Sequence, residues 1–183
     1  MTPFFEGLLW REAPPEWSAE ETGATLTANA LIKARSARAY AKPEETVLAE
    51  DTGLFVWALG GAPGVFSARY AGEGVSFDQN VAKLLRELAP YSGEARRASF
   101  LTAAAAIRPD GAQFFSCGRL DGVIAQERRG AQGFGYDPVF IVPSAGRALA
   151  EFSLEEKNTI SHRGRAIGAI RPYLAVSAAS SVS

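Results

Sequence analysis

The sequence predicts an α/β fold, a mixed β-sheet with helices on both sides. Three features predict it. Capped segments with apolar residues three and four positions apart read as amphipathic helices. A long apolar hairpin flanks Pro109-Asp110-Gly111, where proline fixes φ and glycine permits the turn. Strands and helices then mix without strict βαβ alternation, which argues against an all-parallel sheet. A chain of 183 residues fits one domain, or two lobes sharing one sheet, and can bury a good core.

Taken in order, residues 1–17 are irregular, with apolar Phe4, Phe5, Leu8, Leu9 and Trp10 ahead of Pro14-Pro15. Thr25 can cap a helix running to about Lys42, with Leu26, Ala30, Ala34 and Ala37 on one face and Pro43 as its stop. Residues 46–50 and 54–58 read as two strands joined by a turn at Asp51-Thr52-Gly53. Gly60-Gly61-Ala62-Pro63-Gly64 is a loop by composition. Ser76 and Gln79 form a capping box for a helix whose buried stripe is Phe77, Val81, Leu84, Leu85 and Leu88. The hairpin strands span 98–107 and 113–125, and 139–142 is a short buried strand. Ser153 with Glu156 is a second capping box, and Ser161 can cap a final helix burying Ala166, Ile167, Ile170 and Leu174. Residues 177–183 are small and polar and read as a disordered tail, leaving 1–176 as one domain.

Composition excludes several function classes. Lys and Arg number 19 against 20 Asp and Glu, a net charge of −1 that gives no reason to expect a nucleic-acid groove, so phosphate binding must come from a few placed cations. The single cysteine, Cys117, rules out an internal disulfide and reads as a buried structural thiol in a strand. One Cys and one His cannot supply a zinc site on their own. No stretch approaches the ~18 apolar residues of a membrane span, and no basic segment precedes an apolar one as in a secretory signal. The expected compartment is the cytoplasm.

Two segments carry most of the chemistry. Gly133-Phe134-Gly135-Tyr136-Asp137-Pro138 sets a ring between glycines and ends on a carboxylate. Glu156-Lys157-Asn158-Thr159-Ile160-Ser161-His162-Arg163-Gly164-Arg165 places the only histidine beside cations at a helix start. A planar ligand with polar edges and negative charge needs this combination, so the segments point to a nucleotide pocket. Cations at a helix N-terminus oppose its dipole, which an anion would compensate; an exposed basic face is the plainer reading. Glu20, Glu21, Glu50 and Asp51 offer the hard oxygens Mg²⁺ takes, although by spacing alone such residues serve more often as solvated turn formers. Asp51 at the end of a strand could bind metal, act as general base, or both. Lys33 could reach a phosphate or simply be solvated on its helix. No Walker A motif, Rossmann fingerprint or nucleophile elbow is present.

Together these residues resemble the inosine-triphosphate pyrophosphatase family, the dITP/XTP pyrophosphatases. Six collinear segments carry the resemblance. They are Glu20-Glu21-Thr22-Gly23, Asn29-Ala30-Leu31-Ile32-Lys33-Ala34-Arg35, Glu50-Asp51-Thr52-Gly53-Leu54, the stretch from Gly60 to Gly72, and the two segments above. The resemblance implies an elongated, two-lobed α/β fold around a long mixed sheet, with the nucleotide in a cleft between lobes. It implies a homodimer and hydrolysis of dITP, ITP or XTP to the monophosphate and pyrophosphate. By the same resemblance Asp51 is the general base and a Mg²⁺ ligand, and Glu20 is the other metal carboxylate, with adjacent Glu21 as the fallback. Lys33 and Thr52 face the phosphates. Phe134, Gly135, Tyr136 and Asp137 hold the base, and Lys157, His162 and Arg163 complete the substrate contacts. Thr52 and Glu50 depart from the serine and aspartate usual there. The family's opening strand and Thr/Ser-Gly-Asn-x-x-Lys loop have no match before Glu20, so the expectation is an amino-terminally truncated domain with weak catalysis. The rival reading is a nucleotide-binding remnant without catalysis, and a third is hydrolysis of another phosphorylated metabolite in a reshaped pocket.

Overall fold

The computed structural model describes residue 5 and residues 7–174; the expected tail at 177–183 lies outside the described residues. Six strands form one sheet in the order β2-β1-β3-β4-β5-β6. They are β1 (Val47–Val56), β2 (Pro63–Gly64), β3 (Arg97–Ile107), β4 (Gln113–Ile124), β5 (Phe140–Val142) and β6 (Arg147–Ala148). The helices are α1 (Leu26–Ala37), α2 (Phe77–Glu87), α3 (Leu154–Ile160) and α4 (His162–Ile170). β1–β2, β4–β5 and β5–β6 run antiparallel, with Leu54 opposite Gly64 and Val123 opposite Ile141. No helix among the described residues is long and apolar enough to cross a membrane.

Local chemistry sets the helix ends. Thr25 stands in extended conformation and its hydroxyl accepts from the Ala28 N–H at 3.1 Å, starting α1. Ser76 and Ser153 each accept from the backbone three residues on, with Gln79 and Glu156 reaching back, so both expected capping boxes form. Ser161 accepts from Gly164 N–H at 3.0 Å and starts α4. α1 stops earlier than Pro43 requires. The Arg38 guanidinium donates to the carbonyls of Lys42 and Pro43 at 2.8 and 3.0 Å and also bonds Glu45 O, so the following segment is tied to it rather than continuing the helix.

Two expectations about strands are corrected. Residues 46–58 do not hold a turn at Asp51-Thr52-Gly53: β1 runs through all three. Gly53 is there for space, because a Cβ would stand 2.5 Å from the Gly64 carbonyl oxygen of the paired β2. Cys117 is exposed, not buried. β4 alternates, and the odd-numbered positions 115, 117, 119 and 121 face solvent.

The chain divides into two compact units. One takes the described residues up to Asp51, Ala103–Cys117 and those from Ala166. Its core holds Ala104 and Ala106 of β3 with Ala166, Ile167 and Ile170 of α4, and Leu48, Phe114 and Leu174 pack against it. The other takes Thr52–Thr102 and Gly118–Arg165. Its core packs Leu54 and Val56 against Val81, Leu84 and Leu88 of the α2 segment, then Phe100, Leu120, Ile124 and Phe140. Leu84 is fully buried, so truncating it to alanine would cost about 2–5 kcal/mol. Arg96 is buried in this unit and donates to the carbonyls of Leu88, Tyr91, Ile124 and Ala125 at 2.6–3.2 Å, with no carboxylate paired to it among the described residues.

Candidate functional site

In the second unit the Gly133–Asp137 segment lines a cavity of about 330 Å³ together with Thr52, Phe77, Phe100, Lys157, His162 and Arg163. Gly133 and Gly135 have φ of 87° and 63°, the left-handed region that glycine enters without a Cβ penalty. Those two turns leave the Phe134 ring 66 % exposed while Tyr136 is buried at 3 %. The Tyr136 hydroxyl donates to Ser67 O at 2.9 Å, and Ser67 in turn accepts from Leu54 N–H at 2.8 Å, so the segment is anchored to β1. Burial pushes the Tyr136 hydroxyl pKa up, and it stays protonated.

Phe77 departs from the expected core stripe. It is 41 % exposed and sets its ring edge toward Phe134 and Tyr136, with centroids 6.3 and 6.5 Å apart. It is the first residue of α2, where the chain has just turned at Ser76, so its side chain meets Gly135 instead of the helix-packed core.

Asp137 and Lys157 form a largely covered ion pair at 3.2 Å, both side chains at most 14 % exposed. Asp137 Oδ2 also accepts from Phe134 N–H at 3.4 Å. Burial raises the Asp137 carboxyl above its ordinary value, against the pull of Lys157 and Arg163. His162 lies flat on Phe100 with centroids 4.6 Å apart. Burial, then the charges of Arg163 and Arg165, push its pKa down to about 3, so the imidazole is neutral at physiological pH. Its Nδ1 is buried with no hydrogen-bond partner among the described residues. The Arg163 guanidinium stands 5.9 Å from the Phe134 ring centroid. Arg165 turns elsewhere, donating to Arg119 O at 2.6 Å. One wall of this cavity therefore offers an aromatic face and the other offers a neutral imidazole, a guanidinium and an ammonium–carboxylate pair. That arrangement suits a flat, polar-edged ring.

In the first unit the acidic residues meet Lys33 of α1. Asp51 in β1 is 7 % exposed. Its Oδ1 lies 2.8 Å from Lys33 Nζ and its Oδ2 accepts from Asn29 Nδ2 at 3.1 Å. Lys33 Nζ also lies 2.6 Å from Glu21 Oε1 and donates to Glu50 O at 3.3 Å. Burial works against the Lys33 ammonium, but its hydrogen bonds to Asp51 and Glu21 outweigh burial and hold its pKa above the usual value. Glu21 rather than Glu20 reaches this group. Glu20 is exposed, while Glu21 is partly buried at a tight turn in which Thr22 N–H donates to Glu20 O at 3.2 Å. Among the described residues no three His, Cys, Asp or Glu side chains cluster as a metal site; Glu21 and Asp51, either side of the Lys33 ammonium, are two hard carboxylates of the kind a Mg²⁺ would take alongside phosphate and water ligands.

Thr52, next along β1, begins the second unit and shares a 2.7 Å hydroxyl contact with buried Thr102. Sequence reading missed Asn29, Phe77, Phe100, Ser67 and Thr102. Only Asn29 carried a signal, an amide on the apolar face of an otherwise alanine-rich helix.

Comparison with known proteins gives the family. The family model described as the Ham1 family matches residues 6–173. A protein of Caldanaerobacter subterraneus subsp. tengcongensis, described as a dITP/XTP pyrophosphatase, is 46 % identical over 176 residues, covering 93 % of this chain and 87 % of that one. One of Geobacter sulfurreducens with the same description is 47 % identical over 156 residues, covering 85 % and 77 %. The solved structure of the Staphylococcus aureus Ham1 protein superposes with a TM-score of 0.78 at 42 % identity, covering 87 % of this chain and 81 % of that one. A HAM1 protein from Coxiella burnetii gives a TM-score of 0.75 at 42 % identity, covering 85 % and 79 %. With the family model matched over residues 6–173 and both sequence and fold similar over most of the length, the chain belongs to the Ham1 family.

Proposed function

We propose that the chain hydrolyses non-standard purine nucleoside triphosphates, dITP, ITP and XTP, to the monophosphate and pyrophosphate, with Mg²⁺ as cofactor. The observation that carries this reading is the exposed Phe134 ring beside a neutral His162 and Arg163 in one cavity. A purine laid on Phe134 gains about 1–3 kcal/mol by stacking. Donors from Arg163 and the imidazole suit a 6-keto edge. A 6-amino edge would set donor against donor and leave buried groups unpaired, which rejects adenine. The names of the relatives support the same chemistry, and they favour an enzyme over a binding remnant.

The acidic group supplies the remaining roles. Asp51 is positioned by Lys33 and Asn29 and is the group to orient and deprotonate the attacking water. Glu21 and Asp51 would hold the ion, and Lys33 would give its positive charge to the phosphates once released from between them. A bound Mg²⁺ would draw charge off the phosphates. The proposal includes a homodimer in the cytoplasm; a single monomeric species in sedimentation velocity would remove the dimer from it.

The test is pyrophosphate release. Release from dITP should exceed release from dATP by about 100-fold or more. Asp51→Asn should lower it at least ~100-fold while IMP still binds by calorimetry. Equal rates on the two nucleotides would overturn the base assignment, and IMP binding without any pyrophosphate release would overturn the enzyme.

A further inference from the structure

We infer that Asn29 is the positioning residue of the cation site, tying the Glu21 segment to Asp51 through one buried amide. The inference deepens the metal assignment above and rests on it. Asn29 is fully buried in the first turn and a half of α1. Its Oδ1 accepts from Gly23 N–H at 2.8 Å, and its Nδ2 donates to Asp51 Oδ2 at 3.1 Å. Only this orientation of the amide works. Reversed, its NH₂ would face an N–H and its oxygen would face a carboxylate.

The two bonds do different things. Gly23 stands two residues after Glu21, so holding Gly23 fixes where the Glu21 carboxylate leaves the chain. The bond to Asp51 holds the oxygen that Lys33 does not, since Lys33 takes Oδ1. Were Lys33 displaced by a cation, Asn29 would still hold Oδ2 and stop the carboxylate from rotating. The spacing between the two carboxylates is thus set by a side chain that carries no charge. Gly23 belongs to the same device. A Cβ there would stand 2.5 Å from Asn29 Oδ1 and 2.8 Å from Ala28 Cβ, so only glycine permits the approach. Asparagine is a poor helix former, which makes a fully buried one in α1 a cost that its two bonds must offset.

The experiment uses the full chain and Mn²⁺ alone, read from loss of the free-ion paramagnetic resonance signal, with IMP binding by calorimetry in parallel. Asn29→Ala should weaken Mn²⁺ binding by about 10–100-fold, the usual effect of removing a group that orients a metal ligand. IMP affinity should stay within about twofold of wild type, and kcat should fall with KM little changed, because the base cavity keeps all its residues. Gly23→Ala is the second variant, needed because Asn29→Ala opens a core cavity. It lies in a half-exposed loop, removes no carboxylate, and should weaken Mn²⁺ in the same way. Folded variants that bind Mn²⁺ as the wild type does overturn the role of Asn29 alone. Variants that lose Mn²⁺ and IMP together also overturn it, because that pattern marks general loss of structure. A wild-type chain that binds no Mn²⁺ at millimolar concentration overturns the metal assignment and this inference with it.

Discussion

The imidazole of His162 lies against the ring of Phe100 with planes 12° from parallel. The stack removes the imidazole from water, and Arg163 and Arg165 add positive charge, so protonation is resisted down to about pH 3. His162 is the only histidine of the chain, which makes its state directly readable. Its ring proton resonances should stay flat from about pH 8 to pH 5, where a free histidine titrates near 6.5. The sign for stability follows. The folded pKa lies below the unfolded one, so below about pH 6.5 the unfolded chain takes up the proton and the folded chain does not. The stabilising difference is complete above about pH 6.5 and is lost as pH falls toward 3, by up to about 1.4 kcal/mol per pH unit for this group. In His162→Gln, urea midpoints should lose that part of their pH dependence. An ordinary titration near pH 6.5 would contradict the buried, stacked geometry.

Gly133 and Gly135 separate two effects that a sequence cannot. Both have positive φ, so alanine at either costs about 1–2 kcal/mol of backbone strain. At Gly133 the new Cβ would also collide with Asp137 Oδ2 and stand 2.5 Å from Lys157 Nζ, breaking the ion pair. At Gly135 the nearest atom is Phe77 Cε1 at 3.5 Å, ordinary contact. Gly133→Ala should therefore abolish IMP binding, while Gly135→Ala weakens it by about 30-fold at most if all the strain falls on the bound state. Similar losses in both would show that strain, not the Asp137–Lys157 pair, dominates.

Arg96 gives a stability prediction away from the cavity. Its guanidinium gathers carbonyls after α2 and at the end of β4, including Ala125, which precedes the run to Gly133. Arg96→Met keeps the apolar stem but strands four acceptors, those of Leu88 and Ile124 in fully buried bonds, and hydrogen bonds to charged groups contribute about 1.5–3 kcal/mol each before any relaxation. A total loss of roughly 3–5 kcal/mol in urea denaturation is expected. Arg96→Lys should restore only part of it, because one ammonium cannot reproduce the planar fork. A fully restored Lys variant would mean the carbonyls are met by water instead.

The helix starts were legible because a cap is a contact within three or four residues: Thr25, Ser76, Ser153 and Ser161 each bond where the spacing says. The hairpin around Gly111 was legible for the same reason, with Arg108 N–H donating to Ala112 O at 2.9 Å. What escaped depends on partners far along the chain. Thr52 and Gly53 look like turn residues until β2 is seen crossing 2.5 Å from where a Gly53 side chain would be. Cys117 sits in an apolar run, yet its face is set by the register of β4 and not by its neighbours' composition. Phe77 fits the α2 stripe by spacing, but its place at the first turn delivers it to Gly135, 58 positions on, within a segment whose glycines only the fold arranges. At the acidic group, sequence supplied the residue types; choosing Glu21 over Glu20 needed the irregular turn at 20–22 and the position of Lys33 on α1, which no motif spells out.

Phe77 and Phe134 yield the last prediction. Phe134 is the most solvent-exposed ring facing the cavity, so little folding energy depends on it. Phe134→Ala should leave the melting temperature within a few degrees while weakening IMP by about 5–150-fold, the range that corresponds to 1–3 kcal/mol of stacking. Phe77 acts one step removed. The two rings meet in a T-shaped arrangement with planes 66° apart, and Phe77 Cε1 lies 3.5 Å from where a Cβ at Gly135 would stand, so Phe77 limits the tilt of the surface on which a base would lie. An aromatic pair of this kind contributes about 0.5–1.5 kcal/mol beyond its buried area. Phe77→Ala should thus weaken IMP by about 3–10-fold, and Phe77→Leu by nearly as much, since leucine fills the volume without the ring edge. The double variant Phe77→Ala/Phe134→Ala should be no weaker than Phe134→Ala alone, because without the second ring the first has nothing to orient. Additive losses would mean that Phe77 contacts the nucleotide itself.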